Sequence, residues 1–213
     1  MKVLGLDLSL KGTGACILEG GDTGVPTSRR TFLYLRPRKI TEVRAKIERL
    51  VSIAEDVVGL IEDEKPDHII IEAPAKNQKW QAAAIGEIHG VIKVQTFLAT
   101  GIVPLIIEST QMRAAVVGKI PKVQEIVEDK KGKKKKRWNY GMIPGKRSGM
   151  KKATIKDIIE GILRERGLEF PSQDEMDAYV AARYYWDILV SPAEKVVDEK
   201  EKTKNARAQS GAS

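Results

Sequence analysis

The stretch "MKVLGLDLSLKGTGACIL", residues 1–18, opens the chain. Val3, Leu4, Leu6 and Leu8 read as a buried strand, and residues 14–19 read as its antiparallel partner across the turn "SLKGTG". Asp7 interrupts the first apolar run. A lone buried carboxylate is costly unless it is paired or binds a metal. Asp7 therefore has two uses: to accept hydrogen bonds from the turn backbone, or to meet a cation at the wet end of the strand.

Outward from this hairpin, "TFLYLR" over 31–36 reads as a third strand. Val43, Ile47, Leu50, Val51, Ala54, Val57, Val58 and Ile61 recur at the three-four spacing of a helix, which Pro66 stops. "HIIIEAP", 68–74, is a buried strand. Trp80, Ala83, Ala84, Ile88, Val91, Ile92, Gln95 and Leu98 mark a second long helix, "VPLIIES" another strand, and 110–117 a short helix ending at Gly118. Ile155, Ile158, Ile159, Ile162 and Leu163 predict a further helix closed by Gly167. In "SQDE", Ser172 and Glu175 form a capping box for a last helix reaching about residue 189. Strands with intervening helices predict an α/β architecture, a mixed central sheet flanked by helices. Residues 1–190 read as one domain, and the polar residues 191–213 as a disordered tail.

The net charge is +8 and the pI about 9.4. Lys119–Lys152 holds 13 Lys and Arg against 3 Asp and Glu, so this segment carries +10 and the remainder −2. An excess confined to one segment points to a polyanionic partner for that segment. No apolar run approaches the ~18–20 residues of a membrane span. The N-terminus lacks the pattern of a signal peptide, so a cytoplasmic location is expected. The single Cys16 excludes an intramolecular disulfide and reads as a buried small hydrophobe, and with His68 and His89 alone beside it a zinc site is not expected.

Four acids stand where a site would form. Asp7 and Glu72 each end an apolar strand, and Asp174 and Asp177, three apart in the first turn of the last helix, share a face. Such carboxylates gather hard oxygen ligands suited to Mg²⁺ or Mn²⁺. Two such ions about 4 Å apart activate a water and stabilise a leaving alkoxide in phosphodiester cleavage. Singly, each acid has a plainer use: Asp7 in the turn, Glu72 at the surface, Asp174 at the helix N-terminus. Glu108, which also follows an apolar run, reads as structural.

Five ordered blocks, "GLDLSLKGTGACIL", "IIIEAPA", "GEIHGVIKVQTF", "RAAVVGK" and "DEMDAYVAARYYW", together resemble the RuvC family of Holliday junction resolvases over about 2–118 and 150–188. The resemblance implies an RNase H-like fold, a homodimer and Mg²⁺-dependent cutting of four-way DNA junctions. It implies that Asp7, Glu72, Asp174 and Asp177 are the catalytic, metal-binding set. It places Arg113 and Lys152, with Lys151 as its near rival, at basic DNA-contacting positions. The chain departs from the family in Leu8 and Ser9, where a Pro-Gly turn is usual, and in a strongly basic segment of about thirty residues after Gly118. Such divergence suits a virus-encoded member.

That insertion, 119–150, breaks every period and reads as a long loop or hairpin. Lys119, Lys133, Lys134, Lys135, Lys136 and Arg137 are expected to contact phosphate, with Trp138 or Tyr140 stacking on an unpaired base. The function expected is a metal-dependent endonuclease that resolves branched DNA by symmetric paired nicks, leaving 5′-phosphate and 3′-hydroxyl ends. The alternatives are a related nuclease acting on flaps, forks or RNA–DNA hybrids, and a non-catalytic branched-DNA-binding module. The "DLSLKGTG" hairpin also resembles the phosphate-binding hairpin of actin-like and sugar kinases, but those need a second such hairpin, which this chain lacks.

Overall fold

Two different faces alternate along the first strand. Leu4, Leu6 and Leu8 point one way, and Val3, Gly5 and Asp7 the other, the period-two geometry of a pleated strand. A computed structural model describes residues 1–21, 25–35, 42–74, 82–118, 123–128, 134–140, 142–144 and 150–190. Among these the chain order is β1 (Lys2–Asp7), β2 (Gly12–Glu19), β3 (Ser28–Leu35), α1 (Val43–Glu64), β4 (His68–Glu72), α2 (Ala82–Thr100), β5 (Leu105–Ile107) and α3 (Ser109–Val117). There follow β6 (Val123–Glu128), β7 (Lys134–Asn139), β8 (Met142–Pro144), β9 (Met150–Lys152), α4 (Ile155–Glu165) and α5 (Gln173–Val190).

The central sheet has five strands in the order β3-β2-β1-β4-β5. β1, β2 and β3 pair antiparallel, whereas β1–β4 and β4–β5 are parallel. This is the mixed sheet flanked by helices that the element order predicts. On one face Leu4, Leu6, Leu8, Ala15, Ile17, Ile69 and Ile71 pack against α1 and α2 through Ile53, Val57, Ile61, Ile88 and Ile92. On the other face Val3, Cys16, Leu18 and Ile70 pack against α3, α4 and α5 through Met112, Ile159, Leu163, Met176 and Trp186. Cys16 is buried, as expected.

Helix α5 lies directly on β1 and β2 because those strands present glycines to it. A Cβ on Gly5 would stand 2.2 Å from the Ala178 carbonyl oxygen, and one on Gly14 2.1 Å from that of Asp174. Neither strand offers a side chain at these points, so the helix backbone sits against the sheet backbone. Ser172 caps α5, its Oγ accepting from the Glu175 N–H at 3.1 Å. The Glu175 carboxylate in turn accepts from Ser172 Oγ and from Thr31 Oγ1 of β3, each at 2.8 Å, so this buried acid is structural.

Three expectations need adjusting. The third strand begins at Ser28, earlier than 31, because its first residues complete an eight-residue register with β2. Helix α1 buries its C-terminal half only: Val43, Ile47 and Val51 are exposed. A 22-residue helix is ~33 Å long, about twice the ~17 Å of the five-residue β4 beneath it, so its first turns outrun the sheet. Leu98 likewise points outward from α2. Over 119–152, where a long loop or hairpin is expected, the described residues form two antiparallel strand pairs, β6–β7 and β8–β9.

Candidate metal centre

The turn after β1 does not use Asp7. Ser9 Oγ accepts from the Gly12 N–H at 3.0 Å and from the Lys11 N–H at 3.3 Å, and Thr13 Oγ1 donates to the Ser9 carbonyl at 3.1 Å. With the serine closing the turn, the Asp7 carboxylate is left for another partner. Parallel pairing of Leu6 with Ile71 sets Asp7 beside Glu72 at the C-terminal ends of neighbouring strands. The close approach of α5 then delivers Asp177 to the same point. Asp7, Glu72 and Asp177 each offer a carboxylate oxygen, and these oxygens lie within 4.8 Å of one another.

Asp174, the fourth expected acid, falls outside that trio. It lies one turn nearer the N-terminus of α5, where a Cβ on Gly12 would stand 2.9 Å from its Oδ2. Its charge still acts on Asp7 and Asp177. Burial, then Glu72, Asp177 and Asp174 push the Asp7 carboxyl well above its usual range, against the pull of Lys156. Burial and Asp177 likewise raise Glu72, against Arg113 and Lys156, and burial raises Asp174. Carboxylates that burial and mutual repulsion make costly to ionise gain most from a divalent cation. Several hard oxygen donors at one point fit Mg²⁺ or Mn²⁺, while sulfur or imidazole donors are lacking among them.

Two built-in cations also reach the cluster. Arg113, on α3, is buried, and its Nη2 donates to Asp177 Oδ1 at 3.1 Å and to Glu72 Oε1 at 3.4 Å. The position that the resemblance gives to DNA contact thus holds a guanidinium bound to two of the acids. Lys156, on α4, ion-pairs with Asp177 Oδ2. Burial works against its ammonium, but Asp177 and Asp7 outweigh it and raise its pKa.

The sequence points to Lys151 and Lys152 at this end of α4 and not to Lys156. A signal was there. Thr154 and Asp157 form a capping box that fixes the phase of α4, and Lys156 then falls on the stripe of Ile159 and Leu163, both buried. A lysine on an inward stripe either carries its ammonium out to water or meets an acid at its tip. Of the other expected contacts, Lys134, Lys135, Lys136, Arg137 and Trp138 lie on β7, and Lys151 and Lys152 on β9. The β6–β7 register sets Lys134 opposite Glu128 and Arg137 opposite Glu125. Lys119 and Lys133 fall outside the described residues, as does Trp80 of the expected second helix. His89 is buried in α2, and burial, then Lys93, lower its pKa to about 4, so it is neutral and packed.

No family model and no curated protein matches the sequence. Among solved structures, RuvC from Thermus thermophilus is similar at 16% identity and a TM-score of 0.56, over 88% of this chain and 95% of that one. The same protein in complex with a Holliday junction substrate gives 14% identity and a TM-score of 0.57, over 88% and 94%. The yeast mitochondrial Holliday junction resolvase Ydc2 gives 12% identity and a TM-score of 0.48, over 88% and 79%. The two Thermus likenesses establish the RNase H-like fold of this chain. Among the described residues no helix is long and apolar enough to cross a membrane.

Proposed function

We propose that this chain is a metal-dependent endonuclease that cuts branched DNA, chiefly four-way junctions, by symmetric paired nicks. The observation that carries the reading is the convergence of Asp7, Glu72 and Asp177 on one point within 4.8 Å, on a fold shared with a protein solved on a Holliday junction. Asp7, Glu72 and Asp177 hold Mg²⁺, for which Mn²⁺ substitutes, and Asp174 completes the acidic set. A bound divalent ion supplies Lewis acidity toward phosphoryl oxygens and a lowered pKa for water. The protein's part is to fix the acids. Three elements far apart along the chain meet there, and Arg113 braces Glu72 and Asp177 from within the core.

The +10 of Lys119–Lys152 supports polyanion binding, because lysine and arginine neutralise phosphates without reading sequence. In this reading Lys119, Lys133 to Lys136, Arg137, Lys151 and Lys152 grip the arms of the junction, and Trp138 stacks on a base at the crossover. Paired nicks need two centres, so the working form is a homodimer.

The test is a labelled synthetic four-way junction beside a matched duplex, with Mg²⁺ or EDTA, and beside Asp7→Asn. Metal-dependent symmetric nicks in the junction alone, with 5′-phosphate ends and none from the variant, are expected. Preferential cutting of flaps, forks or hybrids would keep the chemistry and change the substrate. Tight binding without cutting in either metal would replace the enzyme with a DNA-binding module.

A further inference from the structure

The described cluster already contains positive charge, and the balance of charges bears on how many ions it admits. In the deprotonated form that binds metal, Asp7, Glu72, Asp174 and Asp177 carry four negative charges, and Arg113 and Lys156 two positive ones. The remainder is −2, which one divalent cation neutralises and two would exceed. Both oxygens of Asp177 are engaged: Oδ1 by Arg113 and Oδ2 by Lys156. A metal ion that uses Asp177 must share an oxygen with one of these cations or displace it.

The two cations differ in freedom. The Arg113 side chain is 10% exposed and is anchored on two acids at once. The Lys156 side chain is 32% exposed, stands in the first turn of α4, and holds Asp177 through a flexible four-carbon stem. Lys156 is therefore the cation that can leave without unpacking the core.

We propose that Lys156 is a tethered counter-ion that stands in for one divalent cation: it occupies Asp177 in the DNA-free protein, limits the free centre to a single ion, and swings aside when a second ion enters with the substrate phosphate. This rests on the reading of the cluster as a metal centre. It makes Lys156 a positioning residue that keeps Asp177 oriented and keeps the empty acids from repelling one another. A second ion then loads only when phosphate adds the negative charge to hold it.

The test is calorimetric titration of the DNA-free full chain with Mn²⁺, for the wild type, Lys156→Met, Lys156→Arg and Asp7→Asn. The wild type is expected to bind one ion per chain. Lys156→Met, which keeps the stem and removes the charge, is expected to bind a second ion or to bind the first at least about tenfold tighter, ~1.4 kcal/mol. Lys156→Arg restores wild-type behaviour. Two ions on the wild type, or identical isotherms for wild type and Lys156→Met, would overturn the proposal while leaving the metal centre standing. No ion on any of the lysine forms would overturn both. A wild-type measurement stands beside these: the Lys156 side-chain ammonium resonance is expected to shift or vanish as Mg²⁺ is added together with a cleavage-blocked junction. An unmoved resonance under saturating ligand contradicts the proposal.

Discussion

The two faces of the central sheet are made by neighbouring residues of the same strands, yet they do different work. Toward α1 and α2 strands β1 and β4 present runs of apolar side chains: Leu4, Leu6 and Leu8, then Ile69 and Ile71. Toward α5 the same period carries Val3, Gly5 and Asp7, then Ile70 and Glu72. One face gains stability from burial. The other gives up side-chain volume at Gly5 and Gly14 so that a helix backbone can bring its acids to those of the strands. Apolar burial stabilises by ~25 cal/mol per Å², and it has to offset the cost of gathering like charges on the opposite side.

The sharpest way to break this contrast is to change one residue on each face. Asp7→Asn should lower junction cleavage by more than ~10³-fold, ~4 kcal/mol, while raising the melting temperature of the metal-free protein, because it removes one of several buried like charges. Cleavage rates and thermal melts in EDTA check both. Ile71→Ala, one residue before Glu72 and fully buried, should do the reverse. It should cost ~2–5 kcal/mol in urea unfolding and leave the metal-ion response of the folded fraction intact. If Asp7→Asn destabilises the metal-free chain, the two faces are not divided as described.

Gly5→Ala probes the junction between the two roles. Its Cβ would meet the Ala178 backbone, so helix and sheet must part, at about 3 kcal/mol, the upper end for overpacking. Unfolding should show that loss. Cleavage should fall further than the same loss of stability imposed by Ile71→Ala, because Asp177 moves with the helix. Equal losses would mean that the close approach serves packing alone.

The smallest effect is a pH dependence. The Asp7 carboxyl is raised in the folded state by burial, then by Glu72 and Asp177, so the native protein binds more protons than the unfolded chain between the two pKa values. Stability is then lost as pH rises through that window. The thermal advantage of Asp7→Asn over the wild type in EDTA should be full at pH 8 and fade as the pH falls into the carboxylate range. Mg²⁺ at a hundredfold excess over its Kd should stabilise the wild type by ~2.7 kcal/mol at pH 8 and by less at pH 5, read as a smaller rise in melting temperature. Parallel pH profiles for the two proteins would contradict the assignment.

Much of this arrangement is legible in residues. Asp7 and Glu72 stand out because short apolar strands end in an acid, and Asp174 and Asp177 because the Ser172–Glu175 cap fixes where α5 begins. That Ser9, not Asp7, closes the first turn was not legible, since either side chain suits a turn. Gly5 and Gly14 matter only through a helix more than 150 residues later in the chain, a contact that no local pattern encodes. Arg113 shows the same limit. A basic residue at a family position reads as a DNA contact, and only the packing of α3 reveals the buried acids it braces. Lys156 was legible in principle, once the Thr154–Asp157 cap set the phase of α4 and put it on an inward stripe.

The most direct test of the central claim, that these acids form a divalent-metal centre, is anomalous diffraction from crystals grown with Mn²⁺. The account predicts a peak within coordination distance of carboxylate oxygens from Asp7, Glu72 and Asp177, absent in Asp7→Asn crystals. Crystals soaked in saturating Mn²⁺ with no peak at that point, and Asp177 still held only by Arg113 and Lys156, would contradict it.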